Sequence, residues 1–67
     1  MNYSEYIRTR RLVLGLSQKE LAEKMGLSPI SGQNSVYRWE ACLRSPDKKY
    51  VRKLSEILDL PTECLLP

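Results

Sequence analysis

The stretch Ser17–Glu40, SQKELAEKMGLSPISGQNSVYRWE, constrains the fold of this chain more than any other. Ser17 and Glu20 stand three apart ahead of an apolar run. At that spacing a serine hydroxyl accepts from the third amide of a helix while the glutamate reaches back to the serine amide. Leu21, Ala22 and Met25 then share one helical face, and Gly26 follows where a helix ends in a left-handed residue. Beyond the break, Val36 and Trp39 make a short apolar stripe, with Gln33, Asn34, Tyr37 and Arg38 turned elsewhere. The spacing predicts a helix over Gln18–Met25, a turn, and a second helix with a polar first turn.

The start of that second helix reads in two ways. Ser28-Pro29 suits a helix opening, because proline fits the first position. Ser31 is equally a cap, with Gly32 and Gln33 following it. A glycine inside a helix costs roughly 1 kcal/mol relative to alanine, which favours the Ser31 cap and a helix from about Gly32 to Ala41. Gln, Asn and Arg are the side chains that bond bidentately to adenine or guanine edges in the major groove. Residues 18–41 therefore have the form of a helix-turn-helix reader of DNA.

The flanking segments supply core. Tyr3, Ile7, Arg11 and Leu14 fall three and four apart and predict a first helix after a loose start at Met1–Tyr3. Asn2 or Ser4 caps it, Glu5 suits its first turn and Gly15 ends it. Arg11 in the middle of that apolar face needs a partner, because an unpaired buried guanidinium is costly. Pro46 ends a loop and Asp47 is a natural cap for a helix from about Lys48. That helix has Tyr50, Val51, Leu54, Ile57 and Leu58 on one face and Lys48, Lys49, Arg52, Lys53 and Glu56 on the other. Pro61-Thr62 restarts the chain for a last short turn through Cys64, Leu65 and Leu66. No segment alternates with period two, so the expected class is all-α, with five helices and no strand.

Size and composition close off other classes. Sixty-seven residues make one small domain, 1–67, without room for a second domain or a buried active-site cavity. The net charge of +3 is compatible with a polyanionic partner, and the 42 % hydrophobic content makes the chain globular. There is no histidine, and the two cysteines are far apart, which excludes the usual Cys/His zinc spacings. With no metal cluster and no nucleophile–base pair, no enzyme, cofactor or small-molecule substrate is expected. No apolar run is long enough to span a membrane and no signal peptide is evident, so the expected location is cytoplasmic and nucleoid-associated. Reduced cysteines fit that location, although spacing alone leaves a Cys42–Cys64 disulfide open.

Taken in order, IRTRRLVLGLSQKELAEKMG, SVYRWE, RSP and VRKLSEILDLPTECLL resemble the phage lambda repressor-like family of helix-turn-helix domains, the XRE type found in Cro and related regulators. The resemblance runs from about Ile7 to Leu66. It implies a compact five-helix domain whose third helix enters the major groove of double-stranded DNA. It maps base reading onto Gln33, Asn34 and Arg38, with Ser35 or Tyr37 at the edge. Tyr37 either touches a thymine methyl or a phosphate, or lies on the surface. Phosphate contacts map onto Gln18, Ser35, Arg44, Lys48 and Lys49, with Gln18 also bracing Gln33. The resemblance pairs Arg11 with Glu40 in a structural ion pair and makes Trp39 a core residue.

Two departures from the family pattern carry expectations of their own. About four extra residues between Gly26 and Glu40 imply a longer turn. Cys42 replaces a common left-handed glycine, so either the reading helix runs further or Cys42 is mildly strained. The apolar ending, Leu60, Cys64, Leu65 and Leu66, is expected to be partly core and partly a dimer surface, because twofold readers bind paired half-sites about 34–36 Å apart. The expected function is that of a prokaryotic or phage regulator, a repressor that binds a palindromic operator as a homodimer. The rival from another class is the antitoxin of a toxin–antitoxin pair, using the same fold to hold a protein. Against it, few residues lie outside the domain to grip a toxin. A DNA-binding piece of a longer repressor fits equally well.

Overall fold

The first two helices of this chain begin where a side chain meets a free amide of the first turn, and the third begins at a proline, which has no amide hydrogen to satisfy. The computed structural model describes residues 2–66, and the side chain of Pro29 is not described. Its helices are α1 (Tyr3–Val13), α2 (Gln18–Lys24), α3 (Pro29–Glu40) and α4 (Lys48–Leu58), followed by one 3-10 turn, Thr62–Leu65. No strand occurs among the described residues. Met1 lies outside them, and with it part of the loose start expected there. Asn2 already caps α1, its side chain accepting from the Glu5 amide at 3.2 Å. Ser17 and Glu20 close the capping box of α2 at 3.0 and 2.9 Å. By accepting from the Ser17 amide first and the Ser17 hydroxyl second, the Glu20 carboxyl is held below the ordinary carboxylate range. Gly15 (φ +71°) and Gly26 (φ +77°) take the left-handed turns that end α1 and α2.

The start of α3 corrects the expectation. Ser28, not Ser31, is the N-cap, and the Gly32 amide donates to the Ser28 carbonyl at 2.8 Å as the first full turn closes. Ser31 is the third residue of the helix, its hydroxyl paired with that of Ser28. Gly32 stands in the helix for a steric reason. A Cβ there would lie 2.6 Å from the Leu27 Cβ and 2.9 Å from the Ala22 Cβ, so α3 crosses α2 closely only at a residue without a side chain. The extra residues therefore lengthen α3, and the link from Met25 to Ser28 stays short.

Ile7, Leu21, Ala22, Val36, Trp39, Val51, Leu54, Leu58 and Leu65 are buried together between the helices. Trp39 meets Tyr50 with ring centroids 5.7 Å apart and planes tilted by 47°, an aromatic pair inside the core. The fifth helix expected from the sequence is a single 3-10 turn. Pro61 and Leu66 are both extended and leave four residues between them, and the Cys64 amide bonds back three residues to Pro61 at 3.1 Å. Within that turn Leu65 is fully buried, and Leu60, ahead of it, packs against the core. Leu65 is therefore covered by the domain itself, whereas Leu60 and Cys64 are half-buried and Leu66 is exposed.

Polar groups fasten the helices to one another. The Arg10 guanidinium donates to the Leu58 carbonyl at 2.9 Å, meeting a free acceptor at the end of α4. Of the two alternatives for Cys42 the left-handed one holds: α3 ends at Glu40 and Cys42 has φ +59°. A residue with a Cβ held there costs about 1 kcal/mol or more, and the Cys42 thiol in return donates to the Ser4 hydroxyl at 2.9 Å. Cys42 and Cys64 are both free thiols.

Candidate nucleic-acid interface

Three residues of α3 face inward: Gly32 lies against α2, while Val36 and Trp39 enter the core. With that side pinned, Ile30, Gln33, Asn34, Tyr37, Arg38 and Ala41 are all exposed. Their spacing of three, four, seven, eight and eleven residues makes one continuous stripe along a helix. Gln33, Asn34, Tyr37 and Arg38 thus stand together on the free face of α3. Ser35 does not join them. It is half-buried, and its hydroxyl donates to the Ser31 carbonyl of its own helix at 3.1 Å.

The far end of α3 is held by a polar clamp. Arg11 grips Glu40 with two parallel bonds, Nε to Oε2 at 2.6 Å and Nη2 to Oε1 at 3.0 Å. Its third donor, Nη1, reaches the Leu16 carbonyl at 2.7 Å. The side chains are 11 % and 6 % exposed, so the pair is nearly desolvated and its bidentate geometry offsets that cost. Gln18 adds a bond from Nε2 to Glu40 Oε1 at 3.3 Å. This replaces the expected brace on Gln33: the Glu40 carboxylate, held beside the start of α2 by Arg11, is the acceptor within reach, while Gln33 lies in the second turn of the longer α3. Gln18, like Arg11, fixes the end of the stripe.

Two clefts flank the exposed face. One, of about 300 Å³, is lined by Arg8, Arg11, Gln18, Tyr37, Glu40 and Ala41. The other, of about 140 Å³, is lined by Ser35, Arg38, Trp39, Arg44, Ser45, Asp47 and Tyr50. Arg44 thus shares a cleft with Arg38, and Lys48 and Lys49 are exposed in the first turn of α4 just beyond. Lys49 lies over the Tyr50 ring with Nζ 5.0 Å from the centroid. Exposed cations therefore border α3 on both sides, Arg8 on one and Arg44 with the two lysines on the other.

Two residues of this face escaped the sequence reading. Arg8 had a signal: it precedes Arg11 by three residues on α1, and the inward turn of Arg11 toward Glu40 brings Arg8 to the same cleft. Ile30 had none until the helix was known to begin at Pro29.

Comparison with known proteins agrees with this architecture. A family model described as helix-turn-helix matches residues 7–63, the span from the core residue Ile7 into the final 3-10 turn. Among curated proteins and among solved structures nothing matches.

Proposed function

The chain belongs to the lambda repressor-like, XRE-type helix-turn-helix family of DNA-binding regulators, and on that premise we propose that it is a repressor that binds a palindromic operator as a homodimer inside a prokaryotic cell or its phage. The observation that carries this reading is the free face of α3. Gln33, Asn34, Tyr37 and Arg38 lie along one exposed stripe, on a helix whose other side is pinned by Gly32, Val36 and Trp39. A reading helix needs that combination, because a bidentate contact discriminates between bases only if the side chain arrives in a fixed register.

Gln33 and Asn34 take the base edges, with Arg38 and Tyr37 further along the helix. Arg44, Lys48 and Lys49 bind the phosphates on one flank, and Arg8 binds them on the other. Phosphate contacts of this kind set orientation and affinity, while the base edges carry sequence. Gln18 and Ser35 are assigned lesser parts, since both side chains already bond within the protein. Dimerisation is assigned to the DNA-bound state, with Leu66 and the accessible parts of Leu60 and Cys64 as its surface.

The test is selection from a random double-stranded DNA pool at moderate salt, followed by a salt titration on the enriched sequence. The expected result is an inverted repeat with centres about one helical turn apart, bound less tightly as salt rises. A pool that enriches nothing would refute sequence-specific reading and would turn attention to a protein partner for the same face.

A further inference from the structure

Ile30 is the most exposed large apolar side chain among the described residues, at 81 %. It sits in the first turn of α3, three, four and seven residues ahead of Gln33, Asn34 and Tyr37. At 3.6 residues per turn these four side chains project within an arc of about 100°, and at 1.5 Å per residue Ile30 leads Asn34 by about 6 Å. The N-terminal residues of a reading helix are the ones that meet base edges. Whatever Gln33 and Asn34 reach, Ile30 is carried in beside it, within about two base steps of 3.4 Å.

A single exposed apolar residue is ordinary on a protein surface. Ile30 differs through its neighbours, since it stands in line with two amides suited to adenine and is held there by the close crossing at Gly32. Of the groups that base pairs present in the major groove, the thymine C5-methyl is the apolar one. We propose that Ile30 is a specificity-determining residue that packs on a thymine methyl at the edge of each half-site. This rests on the DNA-reading function proposed above. It also gives the added turn of α3 a purpose, lengthening the read sequence at the helix's leading end.

The experiment uses the full chain and the operator obtained by selection. Each thymine of a half-site is replaced in turn by deoxyuridine, which removes only the methyl, and dissociation constants are measured for the wild type and for Ile30→Ala. At one position the wild type should lose about three- to tenfold per half-site, the scale of one buried methyl with its surrounding contacts. Ile30→Ala should bind the thymine operator about as weakly as the wild type binds the uracil one, and should not respond to the replacement. 5-Methylcytosine opposite guanine at that position should recover part of the wild-type contact, since it restores the methyl. Circular dichroism and thermal melting of Ile30→Ala should match the wild type, because the side chain supports nothing in the fold. If an operator is enriched and no uracil position separates the two proteins, the assignment of Ile30 is overturned while the regulator reading stands. If no operator is enriched, both fall together.

Discussion

Gly32→Ala tests the architecture at its tightest point. Alanine is a better helix former than glycine by about 1 kcal/mol, so propensity alone predicts a more stable protein. The structure predicts the opposite. The added methyl would meet the Leu27 Cβ at 2.6 Å and the Ala22 Cβ at 2.9 Å, against an ordinary carbon contact of about 3.5–4.0 Å. Both opposing atoms are Cβ atoms fixed to their backbones and cannot swing away as a flexible side-chain end would. α3 must then move from α2 by about 1 Å, and overpacking of this kind costs about 1–3 kcal/mol, toward the upper end for rigid neighbours. The net expectation is a loss of about 1–2 kcal/mol, which lowers the Tm of a domain this small by about 5–15 °C. Melting followed by circular dichroism reads it directly. Ala22→Gly in the same background should not rescue the fold, because Leu27 is the closer neighbour and a glycine inside α2 itself costs about 1 kcal/mol. An unchanged or raised Tm for Gly32→Ala would refute the close crossing and return the start of the third helix to Ser31.

Three further outcomes are expected. Arg11→Ala leaves the nearly buried Glu40 carboxylate with Gln18 as its remaining partner, so it should destabilise the fold by about 3 kcal/mol. A wild-type melting curve for that variant would sink the clamp. Gln33→Ala or Asn34→Ala should each cost about 1–3 kcal/mol on the selected operator and little on random DNA. Arg44→Ala should weaken both alike and flatten the salt slope by about one; equal losses on both DNAs for all three variants would mean that none of them reads bases. The Glu20 carboxyl, held low by the Ser17 amide, contributes stability that is fully present above its unfolded value near 4.5 and is lost as pH falls through the lower folded value. The wild type should therefore melt above Glu20→Gln at neutral pH and converge with it in acid, and a gap that persists at low pH would contradict the capping assignment.

What the chain discloses by itself is what short-range chemistry decides. The Ser17–Glu20 capping box spans three residues, and the left-handed turns at Gly15 and Gly26 depend on a single missing Cβ each. The apolar spacing of Leu21, Ala22 and Met25, or of Val51, Leu54 and Leu58, needs only the helical period. The all-α class, the helix-turn-helix and a free polar face on the third helix are legible on those grounds; the family is legible from the resemblance of the ordered motifs between Ile7 and Leu66.

Distance decides the rest. Whether α3 starts at Ser28 or Ser31 turns on the space left at Gly32 by Leu27 and Ala22, and a local propensity of about 1 kcal/mol points the wrong way. Gln18 bonds Glu40 rather than Gln33 because Arg11, on another helix, sets that carboxylate beside it. Leu65 is core because a 3-10 turn folds it back onto α1 and α4; the sequence predicts the turn and an ending partly in the core, but not which of its residues the core takes. Ile30 joins the candidate interface because helix packing turns it there, which no neighbour along the chain reveals; Arg8, three residues before Arg11 on the same helix, comes to it by its spacing.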